Sequence, residues 1–203
     1  MTIDDTDLGA APAVRLLTVS GSLRAVSANG AVLDAVARLA PAGVRVTRFA
    51  GLAGLPAFNP DLDGEGAPRS EPVDAWRRAV AAADALMICS PEYAHGVPGA
   101  LKNALDWLVS GPDVPGLPVA VVNATTRAGI AHASLIETLR TMSASVVEAA
   151  SVRLPLAPAQ KTPEAILADP AVAAMLAEAL DALLRAVERA GRRVHGSGQA
   201  GSA

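Results

Sequence analysis

Short apolar runs that do not alternate, each followed by a helical repeat, constrain this chain more than any other feature. VRLLTVS (14–20), DALMICS (84–90) and PVAVVNA (118–124) are apolar at consecutive positions, as strands covered on both faces must be. VRVTRF (44–49) alternates like a strand with one solvated edge, and SVVEAA (145–150) supplies a fifth. Helical spacing falls at 28–40, where Val32, Leu33, Val36, Leu39 and Ala40 recur until Pro41 stops them. It returns near 72–82, at 97–110 and at 130–143, and from Pro163 to Ala190 as one helix or two. Strands alternating with helices predict an α/β fold, a three-layer sandwich around a five-stranded parallel sheet. The chain of 203 residues suits one domain, placed at 13–190, with a flexible N-terminus at 1–12 and a disordered tail at 191–203.

Charge and composition exclude several functions. A net charge of −3 gives no basic face for a nucleic acid, and 2% aromatic residues provide no stacking platform. No apolar run approaches the roughly 20 residues that span a bilayer, so no membrane partner is expected. MTIDDTDLGAAPA lacks the basic-then-apolar order of a secretory signal. The single cysteine, Cys89, cannot form an internal disulfide, which predicts a reducing, cytoplasmic setting. Within its apolar run it reads as a small core hydrophobe.

Parallel sheets bind ligands beyond the carboxyl ends of their strands, which directs attention to 20–29, 90–97 and 123–129. The first stretch offers Ser20, Ser22, Ser27 and Asn29 as donors, Arg24 as a forked cation and Gly21 as a point of close approach. It leads into a helix N-terminus, where free N–H groups and the dipole favour an anion. Neither G-x-x-x-x-G-K-[ST] nor G-x-G-x-x-G occurs there. A cradle for one phosphate monoester and a plain Ser/Asn helix cap with a solvated Arg24 both remain open on this loop alone.

The second stretch, SPEYAHGVPGALKNALDWL (90–108), sets a rigid Pro-Glu-Tyr turn at the end of the third strand. Gly96 and Gly99 allow tight turning near a ligand, and Tyr93 is the chain's only tyrosine. A flat ring against this turn would accept hydrogen bonds from its N–H groups. Leu101, Ala104, Leu105 and Leu108 form a core stripe, Lys102 and Asp106 are spaced for a surface ion pair, and Trp107 lies off the stripe. An exposed tryptophan there would mark an interface.

Together GSLRAVSAN and PEYAHGVPGALKNALDWL resemble the NAD(P)H-dependent FMN reductases, a flavodoxin-like family that includes quinone, chromate and azo-dye reductases. The resemblance covers roughly 14–190. It implies that Ser22, Arg24, Ser27 and Asn29 hold the phosphate of FMN, with Ala28 and Gly30 adding backbone donors. Pro91, Glu92, Tyr93, Ala94 and His95 would line the isoalloxazine. Two departures stand out: Ala94 replaces the family's asparagine, and the loop NATTRAG, with Asn123, Thr125, Thr126 and Arg127, differs from the family's Ser/Gly-rich stretch.

The implied reaction is ping-pong hydride transfer from NADPH or NADH to FMN N5, then reduction of a quinone, azo, metal-oxyanion or flavin acceptor. No side-chain acid or base is required. Arg24 and Arg127 bear on the choice between NADPH and NADH. Members pair through helices of the Trp107 region, so a homodimer or homotetramer is expected. A non-enzymatic electron carrier or flavin store would share the fold. A Ser22 or Ser90 hydrolase is disfavoured, since no G-x-S-x-G elbow occurs. His95 faces either flavin or solvent, His132 and His195 read as surface residues, and no metal-ligand cluster is visible.

Overall fold

The computed structural model describes residues 14–191 except 65, 69 and 128. The expected flexible start and the tail beyond Gly191, with His195, lie outside the described residues. The strands are β1 (Val14–Ser20), β2 (Val44–Phe49), β3 (Ala85–Cys89), β4 (Pro118–Val122) and β5 (Ser145–Val146), and the helices are α1 (Ala28–Leu39), α2 (Glu71–Ala81), α3 (Gly99–Asp106), α4 (Ile130–Thr141), α5 (Pro163–Leu167) and α6 (Pro170–Ala190). All five strands run parallel in the order β2-β1-β3-β4-β5, the flavodoxin-like arrangement.

Consecutive strand residues serve opposite faces, which is why β1, β3 and β4 are apolar without alternation. Leu17, Val19, Leu86 and Ile88 pack with Trp76, Leu101 and Leu135 on one side. Leu16, Met87 and Cys89 pack with Val32, Val36, Leu176 and Leu183 on the other. Helix ends follow local chemistry: Asp169 caps Ala171 and Val172 at the start of α6, and Thr162 caps Ala165 in α5. A proline opens both helices, where its missing N–H is harmless.

Two sequence expectations change. The fifth strand keeps only Ser145–Val146 before a 3₁₀ turn at Glu148–Ala150. The Ser151 hydroxyl then accepts the Val121 N–H (3.1 Å) in place of a strand carbonyl. Pairing resumes one step on, where Asn123 N–H donates to Val152 O (2.9 Å) and Leu154 N–H to Asn123 O (2.8 Å).

Trp107 is the second. It is only 2% exposed, because the segment between β2 and α2 folds back over α3 through 3₁₀ turns at Gly51–Gly54 and Pro60–Leu62. The indole Nε1 donates to Pro56 O (2.9 Å), and the Phe58 ring meets it edge-on at 5.1 Å. Asn103 fixes the same segment from both sides, accepting from Phe58 N–H (2.7 Å) and donating to Pro56 O (2.9 Å). An exposed interface tryptophan is thereby excluded. Lys102 and Asp106 do form the expected ion pair.

Candidate functional site

Helix α1 leaves β1 toward one face of the sheet, whereas α3 leaves the adjacent β3 toward the other. This reversal opens a crevice at the carboxyl ends of the two strands. Gly21 lies in its floor: a Cβ there would sit 2.8 Å from Ser90 Oγ and 3.1 Å from Leu101 Cδ2. The β1 loop can cross β3 this closely only as glycine.

The loop's hydroxyls first build the loop. Ser20 Oγ donates to Ser22 O (3.1 Å) and accepts from Ser22 N–H (3.2 Å), and Ser22 Oγ accepts from Arg24 N–H (3.3 Å). Ser27 caps α1 by accepting the Gly30 N–H at 3.0 Å, which leaves its own hydroxyl proton free to donate. Arg24 is exposed and has no carboxylate partner among the described residues. Asn29 is buried, and its Oδ1 accepts from the Cys89 thiol at 3.4 Å. Burial pushes that thiol pKa up, so Cys89 stays protonated and inert.

The first turn of α1 holds no acidic residue, and the N–H groups of Ala28 and Asn29 precede the first intrahelical acceptor. Free N–H groups and a serine hydroxyl at a helix end, with an arginine in the loop before it, are donors suited to a phosphate monoester. The residues present fit the phosphate of FMN.

Across the crevice, Tyr93 and Gly96 pair in a tight turn through Tyr93 N–H to Gly96 O (3.1 Å) and Gly96 N–H to Tyr93 O (2.9 Å). The left-handed residues between them are Ala94 (φ 49°) and His95 (φ 61°), so the reversal lies there and not at Gly96 or Gly99. Two successive positive φ angles define a type I′ turn, which favours Asn-Gly. Alanine in this conformation carries a strain of about 1–2 kcal/mol, so Ala94 costs the chain more than a side-chain contact. The N–H groups of Ala94 and His95 have no partner among the described residues, which leaves two donors for a ligand. Pro91 leads into this turn, and Tyr93 is half-exposed beside it.

Glu92 holds the turn in place. One carboxylate oxygen meets His95 Nδ1 at 2.9 Å, and the other accepts the Ala131 N–H (2.9 Å) at the start of α4. These bonds, Ala131 first, hold its carboxyl pKa below the ordinary carboxylate value. His95 is 77% exposed, so its ring faces solvent and Glu92 together.

The loop after β4 forms the remaining wall. Asn123 is buried, and its Oδ1 accepts from Thr125 N–H (3.0 Å); Thr125 Oγ1 accepts from Arg127 N–H (3.3 Å). Glu92, Ala94, His95, Thr125 and Arg127 line one cleft, which brings the doubtful NATTRAG loop beside the turn. Arg153, which no sequence motif marks, reaches this loop from the resumed fifth strand and donates to Thr126 O (3.3 Å). His132, expected on the surface, is half-buried with Nδ1 unpartnered among the described residues; burial and then Arg153 lower its pKa. No group of potential metal ligands occurs among the described residues.

Comparison with known proteins shows the family. The model of the NADPH-dependent FMN reductase family matches residues 14–159, well over half the chain. The chain belongs to that family. Within it, the chain is 38% identical over 123 residues to an NAD(P)H-dependent FMN reductase of Pseudomonas aeruginosa, covering 59% of this chain and 65% of the relative. It is 39% identical over 111 residues to a quinone reductase of Escherichia coli, covering 53% and 58% respectively. The chain thus spans less than two thirds of the length of these curated relatives. The flavoenzyme NAD(P)H:(acceptor) oxidoreductase FerB of Paracoccus denitrificans superposes with a TM-score of 0.72 at 26% identity, covering 88% of this chain and 99% of that one. No described helix is long and apolar enough to cross a membrane.

Proposed function

We propose that this FMN reductase family member is an NAD(P)H-dependent oxidoreductase that reduces a small acceptor, a quinone, azo compound, metal oxyanion or flavin, by a ping-pong cycle. The observation that carries this reading is that the acid-free N-terminus of α1, with Ser27 and Arg24 before it, and the N–H groups of the 93–96 turn follow the carboxyl ends of the adjacent strands β1 and β3. The names of the FMN and quinone reductases among its relatives support it.

In this reading Arg24, the Ser22 and Ser27 hydroxyls, the Asn29 amide and the first-turn N–H groups of α1 bind the phosphate, while Ser20 shapes their loop. The Ala94 and His95 N–H groups orient the ring, with Pro91 and Tyr93 beside it and Asn123 holding the loop opposite. Glu92 keeps the turn fixed against α4. FMN held there would supply the redox chemistry, hydride acceptance from a nicotinamide and electron transfer to an acceptor. The protein contributes donors aimed at the charge that develops on the ring, and it moves no proton through a side chain.

Exposed Leu23, Val26, Tyr93 and Ile130 support pairing of copies, as a homodimer or homotetramer. A monomer by light scattering at micromolar concentration would remove that part. A lone buried thiol supports a cytoplasmic setting.

Anaerobic absorption spectra with FMN, before and after NADPH or NADH, test the main reading. Bleaching of the flavin band is the expected result. Bound flavin that neither nucleotide reduces would make the protein a carrier or flavin store.

A further inference from the structure

We propose that the cleft between the Ala94–His95 turn and the Thr125–Arg127 loop is an oxyanion subsite for a co-substrate, with Arg127 as the group that recognises it. This rests on the flavin reading for its neighbour. Arg127 is exposed in the cleft and meets no carboxylate among the described residues. By contrast, Arg48 is bonded to Asp34 and Arg77 to Asp63.

The Arg127 position is built. Buried Asn123 holds Thr125, and Thr125 holds the Arg127 backbone, a ladder of side-chain-to-backbone bonds that fixes where the guanidinium starts. Arg153 adds a second positive charge behind the same loop through its bond to Thr126 O.

Glu92, the only carboxylate lining the cleft among the described residues, does not cancel these charges for a ligand. Both its oxygens are engaged, one by His95 and one by the α4 N-terminus. The FMN phosphate is already provided for at the end of β1, by Arg24 and the α1 N-terminus. A second forked cation at the end of β4 therefore serves a second anion, and that anion arrives on a co-substrate. A phosphate monoester or a similar oxyanion matches the guanidinium fork. Two sources carry one: the 2′-phosphate that separates NADPH from NADH, and an anionic acceptor.

The test is Arg127→Ala, with Arg127→Lys beside it and Arg45→Ala as control, since Arg45 is exposed at the opposite end of the sheet. Calorimetry with adenosine 2′,5′-bisphosphate and with AMP, on protein with and without FMN, reads binding. Steady-state rates with NADPH, NADH, a neutral quinone and a sulfonated quinone read use.

For the nucleotide source, Arg127→Ala weakens the bisphosphate and raises the KM for NADPH by about tenfold, the scale of one charge-assisted contact. NADH, AMP and FMN affinity stay within about twofold, and lysine restores part of the loss. For the acceptor source, only the sulfonated quinone loses. Unchanged values throughout, or an equal loss for the neutral quinone and FMN, overturn the proposal. A wild-type protein that binds no flavin defeats the flavin reading instead, while bisphosphate binding without FMN still tests the cleft.

Discussion

Two helix N-termini open at the same end of the sheet and are treated in opposite ways. At α4 the protein supplies its own anion, the Glu92 carboxylate on Ala131 N–H. At α1 it supplies none in the first turn, which Ser27 caps and the Arg24 loop precedes. A helix end has the same appetite for negative charge wherever it lies, so the difference must come from what each end is for. The filled end fixes a turn. The open end is the proposed phosphate site.

Breaking the open end should give the larger effects. Gly21→Val drives a branched side chain into Ser90 and Leu101, where even a Cβ stands at 2.8 Å and 3.1 Å. Overpacking of this kind costs about 1–3 kcal/mol, and thermal unfolding should show a lowered Tm; an unchanged Tm would mean that the loop simply moves aside. Arg24→Ala leaves the fold intact and removes the cation. FMN affinity should fall by about 1.5–3 kcal/mol, whereas riboflavin, which has no phosphate, should bind as before. An equal loss for both flavins would take Arg24 out of the phosphate site.

The filled end gives smaller changes. Glu92→Gln should lower Tm at neutral pH, because the folded state favours the ionised form that Ala131 and His95 hold. That stabilisation is complete above the unfolded carboxyl value of about 4.3 and disappears as pH falls through the lower folded value. The Tm gap between the two proteins should therefore close in acid, and a gap constant from pH 7 to pH 3 would contradict the linkage. Smallest is Ala94→Asn, which relieves a left-handed alanine at φ 49°. A gain of about 1 kcal/mol, seen as a Tm rise of about 2–4 °C, is expected; a fall would place the cost elsewhere in the turn.

These ends also show what the sequence could and could not disclose. Strands β1, β3 and β4 were legible because burial on both faces leaves consecutive apolar residues. The α1 loop was legible because its donors are neighbours in the chain. Trp107 was not: Pro56 and Phe58 cover it from far up the chain, and helical spacing sees only α3 itself. Glu92 reads as part of a turn motif, yet its carboxylate is spent on a helix that begins at Ile130. The break after Val146 depends on the Ser151 hydroxyl taking a strand carbonyl's place, and no periodicity records such a substitution. Arg153 reaches the site only because pairing resumes after that break.

The shortened fifth strand has one more effect. A sheet ends in two rows of unpaired backbone groups, and long flat edges invite other chains to add strands. Here one border is Ser145–Val146, followed at once by a turn. The other, β2, carries Arg45 and Arg48. Neither described edge offers a neighbouring molecule a long, uncharged stretch of ladder to extend.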